Sequence, residues 1–263
     1  MDYFFYLSIG MIAGLISGLF GLGGGAIIVP LLIFVFATQG IPPEIATHLA
    51  VGTSLATIVF TALSSIYTHH QNNGIRWDLL KKMIPGISLG AWLGSHFAIS
   101  ITGLLLQLLF GAFMVSVALQ MLIYTPKVGI KSTPGPFVIN IAGGTIGGIS
   151  AIFGIGGGTL TTPFLTFFGI RIHQAVGTAA VVGLPIALVA SYVFASVDSS
   201  NAMLPAGSLG YIFVPAWLSI ILTSFPCARI GAKLAHRINS VKLKTAFAWL
   251  LMFLGARFMW INF

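Results

Sequence analysis

The chain has 263 residues, of which 57% are hydrophobic and 6% charged, with a net charge of +8. Soluble domains carry about 25% charged residues, so a water-soluble fold would expose far too much apolar surface. The basic residues are scattered over short loops, which excludes a nucleic-acid patch, and the single cysteine, Cys227, excludes an internal disulfide framework and a multi-cysteine zinc site.

The apolar runs are about 20 residues or longer, a length that fits membrane helices and not barrel strands. Lipid permits only these two architectures, because both satisfy their own backbone. The expected fold is therefore an all-α polytopic membrane protein. The first residues, MDYFFYLSIG, lack a basic n-region and are expected to remain as membrane structure.

Segment one covers about 3–37. As one helix it would reach on the order of 50 Å, too long for one simple crossing, and Gly21-Leu22-Gly23-Gly24-Gly25 breaks it near the middle. Segments two, three and four cover about 45–67, 79–100 and 104–124. A loop with Lys127, Lys131, Pro134 and Pro136 follows. Segment five, about 137–168, is again long and is broken by Gly154-Ile155-Gly156-Gly157-Gly158. Segments six, seven and eight cover about 175–195, 209–235 and 241–260.

The second half repeats the first. Ser17 to Gly25 matches Ser150 to Gly158, and a proline follows at the same distance, Pro30 and Pro163. Ala50-Val51-Gly52-Thr53 recurs as Ala175-Val176-Gly177-Thr178, with His48 and His173 just upstream. Gly94 aligns with Gly231, and Phe110 with Phe247. The organisation is thus a membrane repeat over 1–125, a basic connecting loop over 126–136 and a second repeat over 137–263. Such repeats are a feature of secondary transporters.

Basic residues mark the cytoplasmic side. Arg76, Lys81 and Lys82 lie around the loop after segment two, and Arg229, Lys233, Arg237, Lys242 and Lys244 around the loop after segment seven. If all eight segments crossed once, these loops would face opposite sides. The conflict disappears if segments one and five each re-enter at their glycine break, which gives inverted repeats of three spans and one hairpin. Glu44 and Asp198 then lie outside. The alternative is that both long segments are kinked but span.

Consecutive glycines weaken a helix and let the backbone approach a ligand. The helix that restarts after each cluster offers unpaired N–H groups and a positive dipole end, a ready anion site. The candidate substrate-binding residues are Gly21, Gly23, Gly24, Gly25, Gly154, Gly156, Gly157 and Gly158, with the hydroxyls of Thr53, Ser54, Thr178 and Thr159. Tight helix packing through small residues is the competing reading. Neither cluster is a nucleotide loop, because no Lys-Ser/Thr follows it. His96, within an apolar run, and then His48 and His173 are the candidates for proton-linked behaviour. All four carboxylates, Asp2, Glu44, Asp78 and Asp198, fall at segment ends or in loops, which disfavours a cation pump.

The paired motifs SGLFGLGGGAIIVP and SAIFGIGGGTLTTP, with AVGTS and AVGTA, resemble the sulfite exporter TauE/SafE family, also called the toluene-sulfonate uptake permease family. The resemblance covers the chain from Gly14 to about Trp260. It implies an inner-membrane, multi-pass secondary transporter, in the exporting direction, for sulfite, organosulfonates and related anions. The expected partners are a small anionic substrate and the lipid bilayer, with room for a homo-oligomer and without nucleic acid, metal or cofactor. A passive anion channel is the nearest alternative. An intramembrane enzyme, built from Ser17 or Ser150 with His96, is the remote one.

Overall fold

The computed structural model describes residues 2–20, 24–71, 73–123, 135–198, 204–235 and 240–261. Gly21, Gly23, Lys127, Lys131 and Arg237 lie outside the described residues, as do the side chains of Lys233, Lys242 and Lys244. The described residues form ten helices: α1 Asp2–Phe20, α2 Gly25–Thr38, α3 Pro43–Gln71, α4 Trp77–Ser100, α5 Gly103–Ile123, α6 Pro136–Ile152, α7 Gly158–Phe167, α8 Ile172–Ala195, α9 Val214–Ala235 and α10 Ser240–Ile261. A two-stranded antiparallel hairpin, β1 Ser208–Leu209 and β2 Ile212–Phe213, precedes α9. Segment seven, expected as helix from about residue 209, therefore starts with a strand pair and turns helical at Val214.

Both long segments are broken at their glycines. At 1.5 Å per residue, the 14-residue α2 and the 10-residue α7 reach about 21 and 15 Å. The hydrocarbon layer is about 30 Å thick, so neither helix crosses it alone. Among the described residues four helices are long and apolar enough to span: α3, α5, α8 and the stretch Val214–Gly231 of α9. The 24-residue α4 has the length, but Asp78, Lys81 and Lys82 occupy its first turns. Large apolar side chains cover the outside, among them Leu89, Trp92, Leu93 and Phe97 on α4 and Trp249, Phe253 and Trp260 on α10. Lipid, not water, suits such a surface.

Packing follows the repeat. α1 of the first half lies along α9 of the second, and α6 of the second half lies along α4 of the first. Small residues let these backbones touch. Gly86, Gly90 and Gly94, one turn apart on α4, face the backbones of Asn140, Gly144 and Gly148, one turn apart on α6. On the other side, Gly10 and Gly14 of α1 press against Ile220 and Ser224 of α9, and Gly231 presses against Leu15. One interhelical hydrogen bond joins each pair: Thr223 Oγ1 donates to the Leu7 carbonyl (2.9 Å), and Asn140 Nδ2 to the Lys82 carbonyl (3.2 Å). The aligned positions Gly94 and Gly231 thus do equivalent work in the two seams.

α3 and α8 form the centre. Of their most apolar stretches 67% and 61% lie inside, against 39% for α5 and 28% for α9. Gly52 near the start of α3 meets Phe194 near the end of α8, and Gly177 near the start of α8 meets His69 near the end of α3. The two homologous helices therefore run antiparallel.

Candidate functional site

The site begins with two glycines in a conformation that L side chains rarely adopt. Gly24 (φ 77°) is the residue before α2, and Gly157 (φ 70°) the residue before α7. Each turns the chain in the left-handed region, where a Cβ would cost about 1–2 kcal/mol. Their carbonyls accept the first helical bonds, from Ile27 and Ile28 at one break and from Leu160 and Thr161 at the other. Gly25, Ala26, Gly158 and Thr159, ahead of these donors, keep N–H groups that no helical carbonyl serves.

The two breaks touch. A side chain on Gly25 would run into the Gly154 carbonyl and the Ile155 backbone, so the strands of chain at the two gaps lie backbone to backbone. Ser54 on α3 ties this junction down by donating its hydroxyl to the Gly154 carbonyl (2.9 Å). Gly156 packs its backbone against Gly183 of α8. Gly24, Gly25, Gly154, Gly156, Gly157, Gly158 and Ser54 are thereby brought into one buried region between α2, α3, α7 and α8.

The hydroxyls are unequally shared. Around α7 the Ser150, Thr159 and Thr161 side chains are buried, and none of the three has a hydrogen-bond partner among the described residues. Ser150 Oγ lies 3.8 Å from where a Gly157 Cβ would stand. Buried polar atoms nearly always find partners, so three such hydroxyls around one helix N-terminus stand out. At the first break, the matching positions of Thr159 and Thr161 are the apolar Ala26 and Ile28. Thr161, like Thr159 and Thr162, is legible in the sequence as a hydroxyl just beyond the second break, whereas Ser150 was expected only in the serine–histidine pair. The hydroxyl asymmetry between the repeats singles out Thr159 and Thr161, but not Ser150, whose counterpart Ser17 is also a serine.

Thr53 and Thr178 are engaged elsewhere. Thr53 Oγ1 accepts the Phe213 N–H (2.9 Å), and Thr178 Oγ1 accepts the Arg76 N–H (2.9 Å) while donating to the Gln174 carbonyl (2.6 Å). Each threonine of one half thus holds the chain leading into the third segment of the other, α9 or α4. Gly52 and Gly177, next to them, sit against the Tyr211 and Gly74 carbonyls and leave no room for a side chain.

The three histidines are in different settings. His96 is exposed on α4, with Nδ1 3.0 Å from the Trp92 carbonyl and its ring against the Trp92 indole. Neither Ser17 nor Ser150 has a hydrogen bond to it, so the serine–histidine pair considered for an enzyme is not formed. His173 is exposed at the start of α8. His48 is buried, with Nδ1 2.9 Å from the Glu44 carbonyl, Nε2 2.9 Å from the Ala98 carbonyl and its ring stacked on Tyr211 (5.0 Å). A neutral imidazole donates to one of these carbonyls, and a protonated one to both. Burial pushes the Tyr211 hydroxyl up from its ordinary pKa, so it stays protonated and uncharged beside this ring.

Among the basic loop residues, Arg76 forms a bidentate pair with Asp78 (2.9 and 2.7 Å). The carboxylate pushes the guanidinium pKa further up. The uncompensated charge of that loop is carried by Lys81 and Lys82.

No solved structure matches the chain. A probable membrane transporter protein of Haemophilus influenzae is 34% identical over 247 residues, 94% of each chain. One of Methanocaldococcus jannaschii is 28% identical over 94% of this chain and 91% of its own. A sulfite exporter TauE/SafE family protein of Arabidopsis thaliana is 29% identical over 35% of this chain and 17% of its own length. Residues 6–258 match the protein family described as Sulfite exporter TauE/SafE. With that match over nearly its whole length, on top of the doubled glycine break, the chain belongs to the sulfite exporter TauE/SafE family.

Proposed function

We propose that the protein is a secondary transporter that exports small sulfur-containing or organic oxyanions, sulfite and organosulfonates first among them. The substrate sits at the junction of the two glycine breaks, on its α7 side. The observation that carries this reading is the set of buried hydroxyls of Ser150, Thr159 and Thr161 around a helix N-terminus, without partners among the described residues. Sulfonate and sulfite oxygens are acceptors. They suit hydroxyl donors, unpaired backbone N–H groups and a positive dipole end. The relatives' names, all but one of those above reading as probable membrane transporters, agree with this class of function.

The antiparallel α3–α8 core and the equivalent seams α1–α9 and α4–α6 support inverted repeats. In that arrangement the helices restarting at the two breaks approach one junction from opposite sides of the membrane, which suits alternating access. The protein's site is then a multi-pass cell inner membrane, with the substrate crossing between the two halves.

The test is flux in proteoliposomes. Sulfite, thiosulfate, taurine, sulfoacetate and sulfolactate are offered with and without a pH gradient. Gly157→Val and Thr161→Val should abolish or strongly reduce flux per folded molecule, while Gly18→Ala, outside the break, should retain it. Unchanged flux in both would reduce the breaks to packing devices. Flux that no gradient can drive uphill would make the protein a passive anion channel.

A further inference from the structure

A cavity lies away from the glycine junction, between the far half of α2, the start of α3, α5 and α10. It is open, with a volume of about 350 Å³, and its wall is apolar apart from two side chains, Gln107 and Arg257. Gln107 is 6% exposed and lines the cavity, and no hydrogen bond joins its amide to another described residue, though its polar atoms are not fully enclosed. The Arg257 guanidinium stacks on Phe34 at 5.3 Å and has no ion pair among the described residues. Glu44 follows Pro43 of the wall but is exposed and does not reach the arginine.

A lone cation on a membrane helix is ordinarily explained by its charge reaching water while its stem lies on apolar surface. That account covers Arg257 alone. It gives no reason for a second, buried donor in the same cavity with no acceptor. A primary amide turned into an apolar cavity without partners is costly, and an oxyanion serves both groups while also meeting the charge of Arg257. Its oxygens accept from the fork of Arg257 and from Gln107 Nε2. The remaining wall, including Ile33, Phe34 and Leu254, favours an apolar body behind the charged head.

We infer that this cavity is a separate binding site for an amphipathic oxyanion, with its head on Arg257 and Gln107 and its apolar body along α2 and α10. Two sources offer that chemistry: a free organic sulfonate or carboxylate, and the head of an anionic lipid entering from the bilayer. The site does not rest on the glycine junction and stands if that reading fails.

The full chain in phosphatidylcholine nanodiscs is titrated with hexanesulfonate and with methanesulfonate, which lacks the tail. In parallel, native mass spectrometry counts the phosphatidylglycerol retained from mixed vesicles. Arg257→Gln removes the charge. Ala37→Trp fills the cavity from an exposed wall position and leaves the charge in place, so a folding failure of one variant does not decide the matter. Binding of hexanesulfonate in preference to methanesulfonate, weakened on the order of tenfold or more in both variants, establishes the free amphiphile. Phosphatidylglycerol retention lost in both variants establishes the lipid. Binding and retention that both variants leave intact belong elsewhere, the glycine junction included, and overturn the proposal.

Discussion

Alanine at Gly24 and alanine at Gly157 should not cost the same, although the two residues occupy matched positions with nearly equal φ. Each substitution places a Cβ in the left-handed region, about 1–2 kcal/mol. At Gly24 that is nearly the whole cost. The new carbon would meet the Ala13 carbonyl, Ile28 Cδ1 and Ser17 Cβ, each at 3.5 Å, which is ordinary contact. At Gly157 it would stand 2.8 Å from Ile186 Cδ1 and 3.2 Å from Val182 Cγ1. Ile186 and Val182 are both fully buried, so neither side chain can swing out. Overpacking of this kind adds roughly 1–3 kcal/mol. Gly157→Ala should therefore lose about 2–5 kcal/mol and Gly24→Ala about 1–2. Equilibrium unfolding in mixed micelles, followed by tryptophan fluorescence, reads the difference. Gly24→Asn, whose side chain tolerates the left-handed region, should recover part of the loss. If Gly157→Ala proves as stable as Gly24→Ala, the geometry assigned to the second break is wrong.

Thr53→Val strands the Phe213 N–H, and Thr178→Val strands the Arg76 N–H. Each should lower stability by about 1–3 kcal/mol, with serine near wild type at either position; a loss confined to substrate affinity would return these hydroxyls to the substrate site. If transport is proton-coupled, the coupling should be lost in His48→Gln and kept in His96→Gln and His173→Gln, measured as flux with and without an imposed proton gradient. Persistence in His48→Gln would remove the ring between two carbonyls from the coupling. Cysteines placed at Ser199 and Ser240 should label from opposite faces of the membrane, Ser199 from outside. Labelling of both from one side would defeat the inverted arrangement.

Much of this fold is written locally. Gly24 and Gly157 break their helices within the segment that contains them, and the recurrence of Ser17 to Gly25 as Ser150 to Gly158 reveals the duplication without any knowledge of packing. Contacts across the chain are another matter. The hydroxyl of Thr53 is legible as a donor or acceptor, but its partner, the Phe213 N–H, is 160 residues away and belongs to a hairpin of two-residue strands too short to leave a periodic signature. In sequence His96, within an apolar run, looks more deeply intramembrane than His48, near the start of segment two. Only the arrangement of α3 against α4 encloses the second and leaves the first on the surface. Gln107 and Arg257, on the two helices α5 and α10, become one feature only when those helices pack together.

The glycine seams bear on how such a chain could have arisen. The first helix of each half is matched along its length to the helix of the third segment of the other half, and not to its own. A translated half-length ancestor would therefore have carried two unmatched glycine faces, and could have closed them only against a second copy of itself. Duplication and fusion would then have joined an existing homodimer rather than created a new contact. Two half-genes split within the connecting loop should accordingly complement each other when expressed together, and yield little stable protein when expressed apart.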